Sequence, residues 1–434
     1  VEHDDDTPVG VGVGCRIVTG HPPLSAGMQA DLAGQTLSEQ DLAIAEKIKP
    51  FLRRNCLVAI ADGAGSPFGL GRALAHAAAQ VGGIRLVVGW SFEPPVPFDS
   101  TAFTDVRVLV GGYGLREATR LPHVHYVPVR LSSIPALLRT ALRPDLLIAG
   151  VTPVEGGVGF ATEVSWMRSV VDLGVPVLAE LNHGLPAASD DGHLPASQVT
   201  VVSEVDRPPL GLPAPVINDE ARAMAAHVAA LVKDGNVIQY GPGLVGDAVI
   251  RGLTVPVRIH SGLVTDAVLD LDRRGLLLGQ PVAAYVAGTP ELYQWCHSRP
   301  IATRIERSHD LSYLSDLPLL AINTALEIDL TGQVNVEGFG SNVVAGVGGH
   351  PDFAVAGSRS YDGLSIVALP TLRGRHRTLV HTLSVPASTA RSDIDIVITE
   401  RGMADLRGLD DEERRLAMIA LWDWDPREQE FASK

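Results

Sequence analysis

Residues 56–81 read CLVAIADGAGSPFGLGRALAHAAAQV, and three kinds of local structure follow one another within them. Cys56 to Ala61 is a near-continuous apolar run of strand length. Asp62-Gly63-Ala64-Gly65-Ser66-Pro67 is a turn whose glycines let backbone N–H groups approach a neighbour closely. From near Phe68, through Leu70 to Val81, Ala and Leu recur at helical spacing. A strand buried on both faces, a glycine turn and a covering helix make up the repeating unit of a parallel α/β sheet. The turn itself has two readings, an anion site at the start of a helix or a tight strand-to-helix connection alone.

The same unit recurs along the chain. Further strand-like runs are Ile84 to Gly89, Val106 to Val110, His125 to Val129, Leu146 to Val151 and Val175 to Glu180, with helical stretches such as Ser133 to Leu142 between them. A proline-rich stretch from Arg207 to Pro215 then breaks the pattern and reads as a stiff linker, residues 207–218. Beyond it come the helix Glu220 to Val232, the strand Asn236 to Tyr240, the turn Gly241-Pro242-Gly243 and the helix Leu244 to Leu253. The pattern predicts two open, doubly wound α/β domains, 1–206 and 219–434. Ligands of such sheets sit beyond the carboxyl ends of the strands, which places a site in the cleft between the domains. Upstream, the GxGxG at Gly10, Gly12 and Gly14 precedes no helix and is weak as a dinucleotide fingerprint. Ser38 caps a helical stretch, and Asp410 to Leu421 reads as a capped surface helix followed by a packing arm.

Composition narrows the function. With 46% hydrophobic and 20% charged residues the chain has globular composition, and a net charge of −15 repels nucleic acid and anionic membranes. Cys15, Cys56 and Cys296 show neither disulfide nor zinc spacing, and no apolar run reaches the length of a membrane span. The first residues lack signal-peptide character, so a cytoplasmic location is expected.

Candidate chemistry collects in the second half. Ala321 to Phe353 carries a lone acid, Glu327, and ends on the glycine loop Gly346-Val347-Gly348-Gly349, whose N–H groups can hold an anion or a developing oxyanion. Glu400 follows the apolar run Ile394 to Thr399, where an acid tuned by burial can move a proton or simply form an ion pair. His123 and His125 alternate on a strand without a further ligand, so hydrogen-bonded histidines are favoured over a metal pair. The basic cluster Arg373 to Arg377 reads as a solvated turn before a phosphate site. There is neither a GxSxG elbow nor a P-loop.

Several blocks, in order, carry a family resemblance: ADGAGSP, AELNHGLP, DGNVIQYGPGLVGDAV, INTALEIDLTGQVN, GVGGHPDF and VITERGMADLRG. Across roughly residues 40 to 425 the chain resembles the acetyl-CoA hydrolase/transferase family, class I CoA-transferases that include 4-hydroxybutyrate CoA-transferase. The resemblance implies an enzyme acting on acyl-CoA thioesters in an interdomain cleft, a homodimer, no metal and no tightly bound cofactor. It also implies a glutamate nucleophile that passes through an acyl anhydride and a glutamyl-CoA thioester. Gly349, beside Gly348, matches the loop that donates to the thioester oxyanion; Glu400 matches an active-site glutamate; Ser66 matches a serine of the first glycine turn, and Gly241, Pro242 and Gly243 match the second.

The nucleophile is absent. The family's Ile-His-Ser/Thr-Glu block is here Ile259-His260-Ser261-Gly262, with Gly262 at the position of the glutamate. Pro242 stands where another residue's N–H is the second oxyanion donor, and proline has none. The family's Ser-Asn-x-Pro-Glu segment is here Ser308-His309-Asp310-Leu311-Ser312. These departures predict hydrolysis, of the thioester or of a carbon–carbon bond beside it, with Glu400 or His309 as base. The alternatives are a CoA-transferase using a displaced acid such as Glu327 or Glu306, and a non-catalytic acyl-CoA-binding subunit.

Overall fold

The structure, a computed structural model, describes residues 37–91 and 98–424. Two sheets dominate it. The first runs in the order Val124–Tyr126, Asp105–Val108, Arg85–Val88, Leu57–Ile60, Leu146–Val154, Val177–Asn182, Val199–Val205, all parallel. A short return strand, Gly157–Gly159, pairs antiparallel with Leu146–Val154. The second runs Val282–Val286, Arg258–Val264, Val237–Tyr240, Leu319–Thr324, Leu364–Ala368, Ile396–Thr399, again parallel, and ends on the antiparallel strand Gly402–Asp405.

Both sheets are doubly wound α/β sheets. In the first, chain order runs outward in one direction from Leu57–Ile60 and in the other from Leu146–Val154. In the second, the reversal falls between Val237–Tyr240 and Leu319–Thr324. Each glycine turn noted in the sequence, 61–67 and 241–243, therefore leaves the carboxyl end of a strand at a topological switch point, the place where such sheets bind ligands. The strand Leu57–Ile60 is buried throughout, as its unbroken apolar run requires.

Local chemistry sets the element ends. Ser38 and Asp41 form a reciprocal capping box at the start of the helix Glu39–Ile48. Pro50 lies in the single 3-10 turn Lys49–Phe51 that ends this element, earlier than the sequence pattern alone extends it. The helix Asp411–Trp422 has its own capping box at Asp410, and Trp422 and Trp424 are buried against the second sheet. Gly10, Gly12, Gly14 and Cys15 lie outside the described residues.

Two segments tie the sheets together. Residues 162–165 run antiparallel along the edge strand Val282–Val286, with Val286 N donating to Thr162 O (2.7 Å) and Val164 N to Ala284 O (3.2 Å). That edge is thereby covered. The proline-rich stretch is pinned to both halves, Leu210 N to Ala64 O (2.9 Å) and Leu212 N to Gly288 O (3.0 Å), so it acts as a strap as well as a connection.

Candidate active site

Gly262 lies in the strand Arg258–Val264, where successive side chains point to opposite faces, so it shares a face with His260. A Cβ placed on Gly262 would lie 3.8 Å from His309 Nε2 and 3.9 Å from Phe353 Cε2, ordinary contact distances that leave room for a side chain. On Gly349 the same atom would lie 2.5 Å from His309 Nε2 and 3.1 Å from Phe353 Cε2, so any side chain there would displace the His309 ring. Gly348 has φ +62°, the left-handed conformation that glycine accepts readily. Gly349 caps the helix His350–Arg359, whose first N–H groups have no acceptor within the helix. The structure thus brings Gly262, His309 and Gly349 to one point.

His309 follows the short helix Ile305–Ser308 and is 2% exposed. Its ring packs on Phe353 with centroids 4.6 Å apart, its Nδ1 lies 2.9 Å from Ser308 Oγ, and its Nε2 is buried with no hydrogen-bond partner among the described residues. Burial, reinforced by nearby His260, lowers its pKa to about 3, so the imidazole is neutral at neutral pH. His260 is held at about 4, chiefly by burial, and its Nε2 donates to Ser308 O at 3.0 Å, since a carbonyl can only accept. The strand that carries Gly262 therefore also grips the residue before His309.

The glycine loop is held by the first half of the chain. Val347 N donates to Tyr126 Oη (3.0 Å), which in turn donates to Glu337 (2.7 Å); Leu131 N donates to Gly348 O (3.0 Å). Asp352, in the first turn after Gly349, accepts from Ser132 N (3.0 Å) and Oγ (2.6 Å). Any relative movement of the halves would move this loop.

The other candidates have separate surroundings. Gly241, Pro242 and Gly243 sit above a buried reciprocal amide pair, Gln239 with Asn323 at 2.9 and 3.1 Å, at the second switch point. Pro242 and Gly243 line a hollow with Leu263, Trp90 and Tyr113, the last two from the first half. Ser66 donates to Gly63 O (2.7 Å) and borders a second hollow with Phe68, Asn182 and Arg207. Arg207 donates to Ser66 O (3.1 Å) and pairs with buried Glu180. Glu400 accepts two hydrogen bonds from Thr371, and its strand is four positions from the strand of Gly262, roughly 19 Å at the usual strand spacing.

The displaced-acid candidates are occupied. Glu327 accepts from Asn335 Nδ2 (2.8 Å) and from Ser384 N (3.0 Å) and Oγ (2.7 Å). Glu306 accepts from Ser169 Oγ (2.7 Å) and pairs with Arg139 (3.3 Å). The atoms closest to a Cβ on Gly262 belong to His309 and Phe353, and none is a carboxylate oxygen. His123 bonds Ser100 O while His125 faces Asp105, and Arg373 to Arg377 form a hairpin with Gly374 at its tip.

Sequence reasoning missed four residues. Ser308 and Phe353 stand inside blocks it quoted, but only the fold shows them against His309. Asp62 opens the first glycine turn and Glu163 packs against it, with pKa values raised by burial to about 6 and about 7. Asp62 accepts from Trp166 Nε1 (2.9 Å), Trp90 N (2.7 Å) and Tyr285 Oη (3.2 Å) across the two halves, and Glu163 accepts from Gly65 N (3.1 Å). Nothing local to Glu163 in the sequence signals that contact.

Residues 288–431 match the acetyl-CoA hydrolase/transferase C-terminal domain. The chain is 26% identical over 410 residues to the 4-hydroxybutyrate coenzyme A transferase of Clostridium kluyveri, covering 89% of this chain and 95% of that one. It is 28% identical over 263 residues to an acetyl-CoA hydrolase of Eremothecium gossypii, covering 54% and 48% of the two chains. The crystal structure of RipA from Yersinia pestis superposes with a TM-score of 0.77 at 22% identity, over 90% of this chain and 95% of that one, a likeness of fold.

Proposed function

With residues 288–431 forming an acetyl-CoA hydrolase/transferase C-terminal domain, the chain is an enzyme of that family, and we propose that it hydrolyses its acyl-CoA substrate without a covalent enzyme intermediate. One observation carries the proposal. Gly262, which the order of the family blocks puts at the nucleophile's position, lies beside a neutral His309 that also packs against Gly349, and the three atoms nearest a Cβ on Gly262 belong to His309 and Phe353, none of them a carboxylate oxygen. Glycine has no group that can form an anhydride or a thioester. A water molecule is small enough to occupy the room a side chain would take there and attack the carbonyl carbon.

In this scheme the thioester carbonyl lies against Gly349, whose N–H polarises it. The water oxygen bonds to the carbonyl carbon, the C–S bond breaks, and the proton lost by the water is balanced by the one the sulfur takes up, so that free acid and coenzyme A leave. Glu400, bonded to Thr371 and four strands from Gly262, is too distant to take the water's proton directly. Hydrolysis of a carbon–carbon bond beside the thioester is the variant in which the water adds to the carbonyl carbon of a 3-oxoacyl group, the bond to the neighbouring carbon breaks, and that carbon, its charge delocalised onto the thioester carbonyl polarised at Gly349, takes up the water's proton. The homodimer and the absence of a tightly bound cofactor belong to the same proposal.

A displaced acid would support a transferase instead, but Glu327 and Glu306 are both engaged elsewhere. The test is thiol release from a panel of acyl-CoA thioesters with no acceptor acid present. Release at a rate that added acetate or succinate does not raise supports hydrolysis. Loss of the starting thioester only when an acceptor acid is added, with a new acyl-CoA formed and no free thiol, means transfer, and binding with no thioester loss across the panel means a non-catalytic subunit.

A further inference from the structure

An oxyanion is best stabilised by two preorganised donors. In the scheme above Gly349 is one, and Pro242 cannot be the other. A proton count around Ser308 locates a second donor. The carbonyl of Arg304 already accepts from Arg307 N and Ser308 N, each at 3.1 Å, which occupies its two lone pairs. Ser308 Oγ is 3.3 Å from that crowded oxygen and 2.9 Å from His309 Nδ1. The hydroxyl proton therefore goes to Nδ1. A neutral imidazole that accepts at Nδ1 carries its own proton on Nε2.

Nε2 is the His309 atom closest to where side chains on Gly349 and Gly262 would begin, 2.5 and 3.8 Å away. It is buried, and among the described residues it has no hydrogen-bond partner. A desolvated donor aimed into a ligand space is completed by a ligand oxygen. The ring is fixed from three sides: Phe353 against its face, Ser308 Oγ on Nδ1, and His260 Nε2 on the backbone oxygen of Ser308.

We propose that His309 is the second oxyanion donor of this site, its Nε2–H meeting the thioester carbonyl oxygen together with the Gly349 N–H, and that Ser308 is the positioning residue that keeps the proton on Nε2. The proposal rests on the acyl-CoA reading of the site. No proton leaves His309 during the cycle; it gives a hydrogen bond to the carbonyl oxygen as the water–carbon bond forms and the C–S bond breaks. Its low pKa agrees with this use, because a neutral imidazole gives up its Nε2–H only at very high pH and in this site is a poor base at neutral pH.

The test uses full-length protein labelled with 15N-histidine, in which nitrogen chemical shifts report which ring nitrogen carries the proton. The expected result is His309 protonated at Nε2 in the free protein, with the Nε2–H resonance moving downfield when a non-hydrolysable acyl-CoA ketone is added. Ser308→Ala should spread His309 over both tautomers and lower kcat about 10-fold to 100-fold with little change in KM. His309→Gln, which retains an N–H donor, should keep more activity than His309→Ala and leave the pH–rate profile unchanged. A bare Nε2 with the proton on Nδ1, or a profile that loses its acid limb in His309→Gln, overturns the proposal. The tautomer is measured whether or not any thioester is hydrolysed, so failure here is distinguishable from failure of the hydrolase reading.

Discussion

The imidazole of His309 lies so close over Gly349 that a methyl group on that glycine would stand 2.5 Å from Nε2. The two residues come from different segments, yet each fixes what the other can be. Gly349→Ala is therefore expected to push His309 off Phe353, costing about 1–3 kcal/mol of stability and most of the turnover. Adding His309→Ala should restore the thermal midpoint and not the activity. Unfolding and kcat measured on the single and double variants check both statements.

Gly262 behaves differently, because a Cβ there meets nothing closer than 3.8 Å. Gly262→Glu should fold, with a loss of about 1–3 kcal/mol for a carboxylate placed in a largely buried strand. Incubated with an acyl-CoA, it should gain a covalent CoA adduct that borohydride reduces to the alcohol, seen by intact mass. If no adduct forms while the variant remains folded, the geometry left by Pro242 and His309 is incompatible with the family's covalent cycle.

Glu400→Gln should leave turnover near normal and stability little changed, because its carboxylate is engaged by Thr371 and lies four strands from Gly262. Glu327→Gln should also leave turnover near normal, but its carboxylate accepts three hydrogen bonds inside the fold, so the variant should be roughly 1–3 kcal/mol less stable. Parallel kinetics and urea unfolding check both outcomes.

Stability should fall on both sides of mildly acidic pH. His309, His260 and His350 have folded pKa values lowered to about 3, 4 and 4 by burial, so their stabilisation is full above about pH 6.5 and is lost as pH falls toward those values. Each costs about 1.4 kcal/mol per pH unit within that window. Asp62 and Glu163 are raised to about 6 and about 7, so the folded state binds more protons than the unfolded one and stability declines as pH rises from about 4 to 7. Glu163→Gln should flatten the second decline, and denaturant titrations from pH 5 to 8 measure both slopes.

The class of fold was legible because buried parallel strands leave unbroken apolar runs: Leu57–Ile60 and Ile396–Thr399 are buried at every position and read that way in the sequence. The strand Arg258–Val264 was harder to see, since His260 and Gly262 interrupt it; both lie at the proposed site. Gly262, His309 and Gly349 were each singled out, but their meeting depends on tertiary packing across 87 residues of chain, from 262 to 349. The strap at 207–215 and the role of residues 162–165 as an added edge strand are likewise tertiary, because the strap bonds to both halves and the backbone partners of the added strand lie in the opposite half.

The central claim is that water, and no residue of the protein, attacks the substrate. Single-turnover reaction of the unmodified protein in H218O, with intact-mass and peptide analysis of the enzyme, tests it most directly. The account predicts one 18O atom in the carboxylate of the released acid, none in any protein carboxylate, and no CoA adduct at any time point. Appearance of 18O in a glutamate or aspartate side chain, or of a protein–CoA thioester, contradicts it.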